Sequence, residues 1–263
     1  MGFFCITLSF VGMAEENRFS EELAAFYEAT HDHGDIGDES FYLDAATSAA
    51  GPVLEGACGT GRLYLELLRN GVDADGFDIS PAMLKILRKK AASEGLTPTV
   101  WGADLRSIGA DRSYALALVP YNSMCNLRRV DDQLAALEAF HDVLEPGGRL
   151  LFDVYVPRYD VIAESFGEWQ DVREVEYEGT RLRGRSRADI ADQVTQTYRT
   201  EQELLDADGE VVARDEFVLS HLPAQQVELL ARQSPFEQWS VRGGFDGEPL
   251  TDEDGVQVWE LRK

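Results

Sequence analysis

The segment Val53-Leu-Glu-Gly-Ala-Cys-Gly-Thr-Gly-Arg62 holds three glycines and a carboxylate where an apolar run gives way to a helical pattern. Glycines at a strand-to-helix turn let a ligand press against the backbone, and the helix-terminal N–H groups then face that ligand. Dinucleotide enzymes use such a turn too, so the turn alone does not name the ligand. The next apolar run ends in Gly76-Phe77-Asp78, with Asp78 placed 17 residues beyond Gly61. An acid there can accept hydrogen bonds from both hydroxyls of a ribose. The third run ends in Gly102-Ala103-Asp104-Leu105, where Asp104 could accept from an adenine amino group. Three signals on three successive strand ends point to an adenosine ligand lying across the carboxyl edge of a sheet. Met83, three residues after Ser80, is either a packing partner for the adenine or part of the helical core.

The elements that must position these residues follow from periodicity and punctuation. Leu23, Phe26 and Tyr27 share one helical face between Ser20, a candidate N-cap, and Thr30. Ser40 is expected to cap a second helix through Ala50. Strands are predicted at Pro52 to Glu55, Val72 to Ile79, Thr97 to Trp101, Tyr114 to Val119 and Arg149 to Val156. Helices are predicted between them, from Gly61 to Asn70, from Ser80-Pro81 to Gly95, and from Asp131 to Leu144, where Pro146-Gly147-Gly148 stops the chain. Strands alternating with helices argue for a parallel sheet with right-handed crossovers. From about Glu164 to His221 the period changes to two, with Asp206-Ala-Asp208-Gly209 as a hairpin turn, which predicts an antiparallel insertion. Pro223 to Gln233 reads as a helix, and Glu237 to Val241 and Val256 to Leu261 as closing strands. The expected organisation is therefore a cofactor core over 13–157, a β-rich insertion over 158–222 and a completing segment over 223–263.

Composition narrows the partners. Asp and Glu number 48 against 24 Lys and Arg in 263 residues, a formal charge of −24, while 44% of the chain is apolar. That is enough for a buried core, and a surface this acidic repels phosphate, which argues against nucleic acid and anionic membranes. The only lysines are Lys85, Lys89, Lys90 and Lys263. Abundant carboxylates with few lysines resemble the bias of proteins from salt-in halophiles, so the charge is read as a response to the solvent. Cys5, Cys58 and Cys125 are odd in number and far apart, and no metal-ligand spacing appears, which suits a reducing cytoplasm. Residues 1–12 are apolar but lack a positive flank, so translation is expected to begin at Met13, a membrane anchor being the alternative.

From about residue 50 to 157 the chain resembles the class I S-adenosylmethionine-dependent methyltransferases. The Glu55-x-Ala57-x-Gly59-x-Gly61 loop matches that family's acid-and-glycine loop. The acid of the second strand, the Asp of the third strand's loop and the Leu144-Glu-Pro-Gly-Gly148 turn match as well. One departure is Ala57 in place of the first glycine, which is tolerable if its φ is negative. The resemblance implies a Rossmann-like fold, a seven-stranded, mostly parallel sheet in the order 3-2-1-4-5-7-6 with the last strand antiparallel, and S-adenosylmethionine as cofactor. It places Glu55, Ala57, Gly59, Gly61, Arg62, Asp78, Ile79, Met83, Asp104, Leu105 and Val119 around the cofactor. Arg62 would pair with its carboxylate, or would be an ordinary first-turn surface charge. Tyr27 would close over the same end, or would be core.

The residues after the fourth strand, Val119-Pro-Tyr-Asn-Ser123, would face the acceptor. They lack the double proline of methyltransferases acting on amide or nucleobase amino groups, so a small-molecule acceptor is expected, methylated at N or O. Tyr121, Asn122 and Tyr155 would line that pocket. Of the histidines His31, His33, His141 and His221, the last ends the insertion and is the candidate general base, against a plain loop histidine. A monomer or homodimer is expected. Two other classes share parts of the pattern: a nicotinamide-dependent oxidoreductase, and a non-catalytic module that binds the cofactor without turnover. The first leaves Asp104 and the Leu144 to Gly148 turn without a reason.

Overall fold

The computed structural model describes residues 21–31 and 37–263, so the readings on Cys5, Met13, Ser20 and His33 lie outside the described residues. The chain opens with α1 (Glu21–His31) and α2 (Glu39–Thr47). An alternating run follows: β1 (Val53–Gly56), α3 (Arg62–Arg69), β2 (Ala74–Asp78), α4 (Pro81–Ser93), β3 (Thr99–Gly102), β4 (Tyr114–Val119), α5 (Val130–Val143) and β5 (Leu144–Tyr155). After α6 (Tyr159–Ser165) come β6 (Gln170–Tyr177), β7 (Thr180–Asp192), β8 (Thr197–Leu205) and β9 (Val211–Ser220). Then α7 (Ala224–Gln233), β10 (Gln238–Gly243) and β11 (Val256–Arg262) close the chain.

Seven strands make one sheet in the order β3-β2-β1-β4-β5-β11-β10, parallel throughout except for the pairings of β11 with β5 and with β10. This is the expected 3-2-1-4-5-7-6 order, with β11 as the antiparallel strand. The central strands are covered on both faces, and every residue of β1 and β2 is buried, the carboxylates of Glu55, Asp75 and Asp78 included. Phe77, Phe140, Phe152 and Trp259 anchor the apolar layer on the side of α5 and α7. Tyr42, Tyr64, Leu67 and Leu87 anchor the layer beneath α2, α3 and α4. Among the described residues no helix is long and apolar enough to cross a membrane.

Several boundaries shift by a few residues from the sequence reading, and two of the shifts carry a physical lesson. Helix α2 starts at Glu39, and Asp38 rather than Ser40 holds the N-cap position, although its side chain caps nothing. Strand β5 starts at Leu144 and runs through the Pro146-Gly147-Gly148 turn that was expected to precede it. The turn is stitched to the chain end: Gly147 N–H donates to Lys263 O (3.1 Å) and Lys263 N–H to Gly148 O (3.0 Å). Pairing thus carries across residues that would otherwise break it.

The insertion is a separate four-stranded antiparallel sheet, β6-β7-β8-β9. Asp206 Oδ1 accepts the N–H groups of Asp208 and Glu210 (2.9 Å each) and so fixes the β8–β9 hairpin. One face of the sheet is ionic. Arg185 pairs with Glu203 (2.6 Å) and Arg187 with Glu201 (2.9 Å), and both guanidinium groups lie over the Trp169 ring. The other face is apolar at one end, where Val175, Leu182 and Leu204 form a cluster with Phe26 of α1. Glu28, two residues on, pairs with Lys90 of α4 at 2.7 Å. Helix α1 therefore bridges the insertion and the core.

Candidate active site

Gly59 (φ +52°) and Gly61 (φ +88°) take the left-handed backbone in the turn from β1 to α3. A Cβ on Gly61 would stand 2.8 Å from Leu87 Cγ, so only glycine fits there. At Gly59 nothing lies within 4 Å of where a Cβ would point, which leaves the backbone open to a ligand. Ala57 also has a positive φ, +55°, which corrects the expectation of a negative one. The left-handed region costs an alanine about 1–2 kcal/mol. The loop keeps it there because Cys58 N–H donates to Phe77 O (3.0 Å) and Gly61 N–H to Cys58 O (2.9 Å).

Four charged side chains converge on this turn. Asp78, buried at the end of β2, accepts Gly59 N–H on one oxygen (2.9 Å) and Ser80 N–H on the other (2.8 Å). Burial raises its pKa and the two N–H groups oppose the rise. Glu55 is 2% exposed, and its Oε2 is buried without a hydrogen-bond partner. Burial pushes its carboxyl up to about 8, with Arg62 opposing and Asp38 and Asp78 adding to the shift. The Arg62 guanidinium is gripped by both oxygens of the fully buried Asp38, with Nη1–Oδ1 at 2.9 Å, and lies 5.3 Å from the centroid of the Tyr121 ring. Tyr27 of α1 sits in the same field: burial raises its phenol pKa, and the neighbouring Tyr121, Arg62 and Asp78 all act on it.

The facing wall is the turn after β4. Tyr121 and Asn122 both have φ +59°, an uncommon conformation for such residues. The buried Asp153 of β5 holds them, accepting Tyr121 N–H (2.8 Å), Asn122 N–H (3.1 Å) and the Tyr42 hydroxyl (2.6 Å). Burial raises the Asp153 carboxyl to about 6 against these three donors. Asn122 Oδ1 in turn accepts Tyr155 N–H at 2.6 Å. The Tyr155 hydroxyl lies 2.9 Å from His221 Nδ1 and 3.2 Å from Ser220 O. The His221 ring stacks on Tyr198 with centroids 4.8 Å apart, its Nε2 is buried without a partner, and desolvation lowers its pKa.

Residues 53–148 match the family model described as a methyltransferase domain. That stretch is similar to a methyltransferase domain. YqeM of Bacillus subtilis is 28% identical to this chain over 134 residues, 50% of this chain and 53% of that one, so the match spans about half the length of that curated relative. Among solved structures, an S-adenosylmethionine-dependent methyltransferase from Clostridium acetobutylicum superposes with a TM-score of 0.74 at 16% identity, covering 90% of this chain and 95% of that one. The sugar N-methyltransferase KedS8 from Streptoalloteichus superposes with a TM-score of 0.71 at 20% identity, covering 100% of both. At these identities the structural likeness shows the fold, a Rossmann-like class I methyltransferase fold across the chain.

The structure brings together Glu55, Ala57, Gly59, Gly61, Arg62 and Asp78 on one side, with Tyr27, Tyr121 and Asn122 close by. Met83 is 2% exposed and stands outside the two apolar clusters that flank the sheet, while Ile79 is 39% exposed. Leu105 packs under Gly56, and Val119 is fully buried at the end of β4. The Asp104 carboxylate is engaged by Arg106 through Nε (2.8 Å) and Nη2 (2.7 Å), and Arg106 also reaches Asp132 (2.9 Å). His141 lies in the last turn of α5, its ring edge-on to Phe236.

Asp38 and Asp153 escaped the sequence reading. Asp38 precedes a helix and reads as an ordinary cap, and nothing local announces a partner 24 residues away. Asp153 left a usable signal: it is a carboxylate in the middle of the apolar run of β5, where burial requires a partner.

Proposed function

We propose that this chain transfers a methyl group from S-adenosylmethionine to a nitrogen or oxygen of a small-molecule acceptor. The observation that carries this reading is the meeting of the glycine turn, Glu55, Arg62 and Asp78 with the Tyr121-Asn122 turn at the carboxyl edge of one sheet. The site suits the cofactor's charges: Glu55 Oε2 is a buried acceptor with no donor, which a positively charged amino group would complete. That KedS8 is a sugar N-methyltransferase supports nitrogen as one target.

The cofactor supplies a methyl group already activated on a cationic sulfonium. Arg62, held in place by Asp38, keeps guanidinium N–H groups for a carboxylate. Asp78 has lone pairs beyond the two used by Gly59 and Ser80, and these suit ribose hydroxyls. Asp104 would take the adenine amino group, and Met83 would pack against the ring. Tyr27 covers this end. Tyr121, Asn122 and Tyr155 line the acceptor pocket, and their fixed turn aligns the acceptor, which supplies most of the effect in an in-line displacement. His221, kept neutral by desolvation, offers Nε2 as the proton acceptor. We place the enzyme in the cytoplasm, as a monomer or homodimer acting without nucleic acid or membrane.

Calorimetric titration with S-adenosylhomocysteine and with NAD tests the cofactor. Binding of the first and silence toward the second is expected, and the reverse would make the chain an oxidoreductase. Incubation with labelled cofactor and pools of small metabolites in molar KCl, read by product mass, tests turnover. Cofactor binding with no labelled product from any pool would mark a non-catalytic module.

A further inference from the structure

The inner face of the insertion sheet can be followed rung by rung, because opposite residues in an antiparallel pair point the same way and alternate residues along a strand share a face. The Leu204↔Ala213 rung belongs to the apolar cluster around Phe26. Three rungs further along this face, Tyr198↔Leu219 brings Tyr198 against Tyr155 (5.4 Å between centroids) and His221. Gln202↔Asp215 and Thr200↔Phe217 lie between these two anchored ends, with Ser186 of β7 beside Gln202. The middle of this face thus runs from the helix that carries Tyr27 to the wall that carries Tyr155.

Asp215 is 7% exposed, and among the described residues the only hydrogen bond to its carboxylate comes from the N–H of the next residue, Glu216 (2.7 Å). Burial raises its pKa, and among the described residues no cation opposes the rise. Its neighbour Gln202 has a buried Oε1 with no partner. The contrast with the other face of the same strands is sharp, since Glu201 and Glu203 there are both matched by arginines. A buried carboxylate without a counter-charge is costly unless something arrives to pair with it.

We propose that Asp215 and Gln202 form an acceptor subsite for a cationic nitrogen, so that the small molecule methylated here carries an ammonium group. The ammonium pairs with the Asp215 carboxylate and donates a second hydrogen bond to Gln202 Oε1, and Thr200 and Ser186 offer hydroxyls to the rest of the molecule. This rests on the methyltransferase reading above.

The test uses the full chain saturated with S-adenosylhomocysteine. Calorimetry compares matched amines and alcohols: glucosamine with glucose, ethanolamine with ethylene glycol, and cyclohexylamine with cyclohexanol. At least one amine is expected to bind about tenfold more tightly than its alcohol, and Asp215→Asn is expected to abolish that preference. Affinity for S-adenosylhomocysteine should stay within about twofold in Asp215→Asn. The free Asp215→Asn protein should melt no lower than the parent, since it loses a buried unpaired charge. Absence of any amine preference across the panel, or its survival in Asp215→Asn, overturns the proposal. So does a large fall in melting temperature, which would make Asp215 a structural residue. Failure of S-adenosylhomocysteine itself to bind would instead strike at the methyltransferase reading.

Discussion

The Asp153 carboxylate accepts the backbone N–H of Tyr121 at 2.8 Å, and with the Asn122 N–H and the Tyr42 hydroxyl it clamps a turn whose two residues both hold positive φ. Backbone strain of this kind costs of order 1–3 kcal/mol per residue and persists only where the surroundings enforce it.

Asp153→Ala should therefore lower stability by about 2–4 kcal/mol, because it strands buried donors and releases the strained turn together. The folded carboxyl titrates near 6, above its ordinary value of 3.8. A raised acid binds its proton more tightly in the folded state, so its contribution to stability is greatest below about pH 4 and declines as pH rises to about 6. Melting temperatures recorded between pH 3.5 and 7.5 should show that decline in the parent and not in Asp153→Asn. Parallel curves would remove Asp153 from the titration.

Asp78→Ala should weaken S-adenosylmethionine binding by more than about tenfold, since a charged acceptor shared by two hydroxyls is lost. The same carboxylate also ties Gly59 to Ser80, so the free protein should melt at a lower temperature. Unchanged cofactor affinity by calorimetry would take Asp78 out of the site.

Glu55 titrates near 8 in the free protein and is mostly protonated at pH 7. A positive amino group arriving beside it lowers that pKa and expels the proton. Titrations with S-adenosylhomocysteine at pH 7, in buffers of different ionisation enthalpy, should report close to one proton released. Glu55→Gln should release none. Equal proton counts in the two proteins would contradict the placement of Glu55.

His221→Asn should lower kcat by about a hundredfold or more and leave S-adenosylhomocysteine affinity unchanged, the pattern expected on removing a general base. Its pKa is lowered by desolvation, so the acid limb of the kcat profile should fall below the usual 6.5 of histidine. A kcat within about threefold of the parent would leave His221 as a packing partner of Tyr198.

Salt provides a prediction from the sequence alone. Arg–carboxylate pairs on the surface contribute little each, while carboxylates outnumber cations two to one. Their mutual repulsion opposes compaction, and the screening length falls from about 10 Å at 0.1 M salt to about 3 Å at 1 M. Melting temperature and activity should rise from 0.1 M to above 1 M KCl. A flat or falling melting curve would leave the acidity to be explained by a cationic substrate or partner.

The strands and helices of the core were legible because each declares itself locally, through an apolar run or a Ser80-Pro81 cap, while their order in the sheet came from the family resemblance. The meeting of Glu55, Arg62 and Asp78 was legible for the same reason, since they lie at a strand end or helix start next to the glycines that shape the turn. Asp38 and Asp153 were not, because their partners Arg62 and Tyr121 lie 24 and 32 residues away in sequence. Neither pairing leaves a periodic trace. The backbone of Ala57 was misjudged because the residue type argued for negative φ, whereas the hydrogen bonds of Cys58 and Gly61 decide it.

Phe26 and Tyr27 are adjacent on α1, yet one packs into the insertion sheet and the other lies in the electrostatic field of Arg62 and Asp78. A single helical turn therefore serves both halves of the molecule, and this constrains how the enzyme can diversify. Changes at Val175, Leu182 or Leu204 would disturb the helix that carries Tyr27, so those positions are poor places to vary. Gln202, Thr200, Asp215 and Phe217 stand outside the cluster around Phe26, and they are the positions where a lineage could suit the face to a new acceptor.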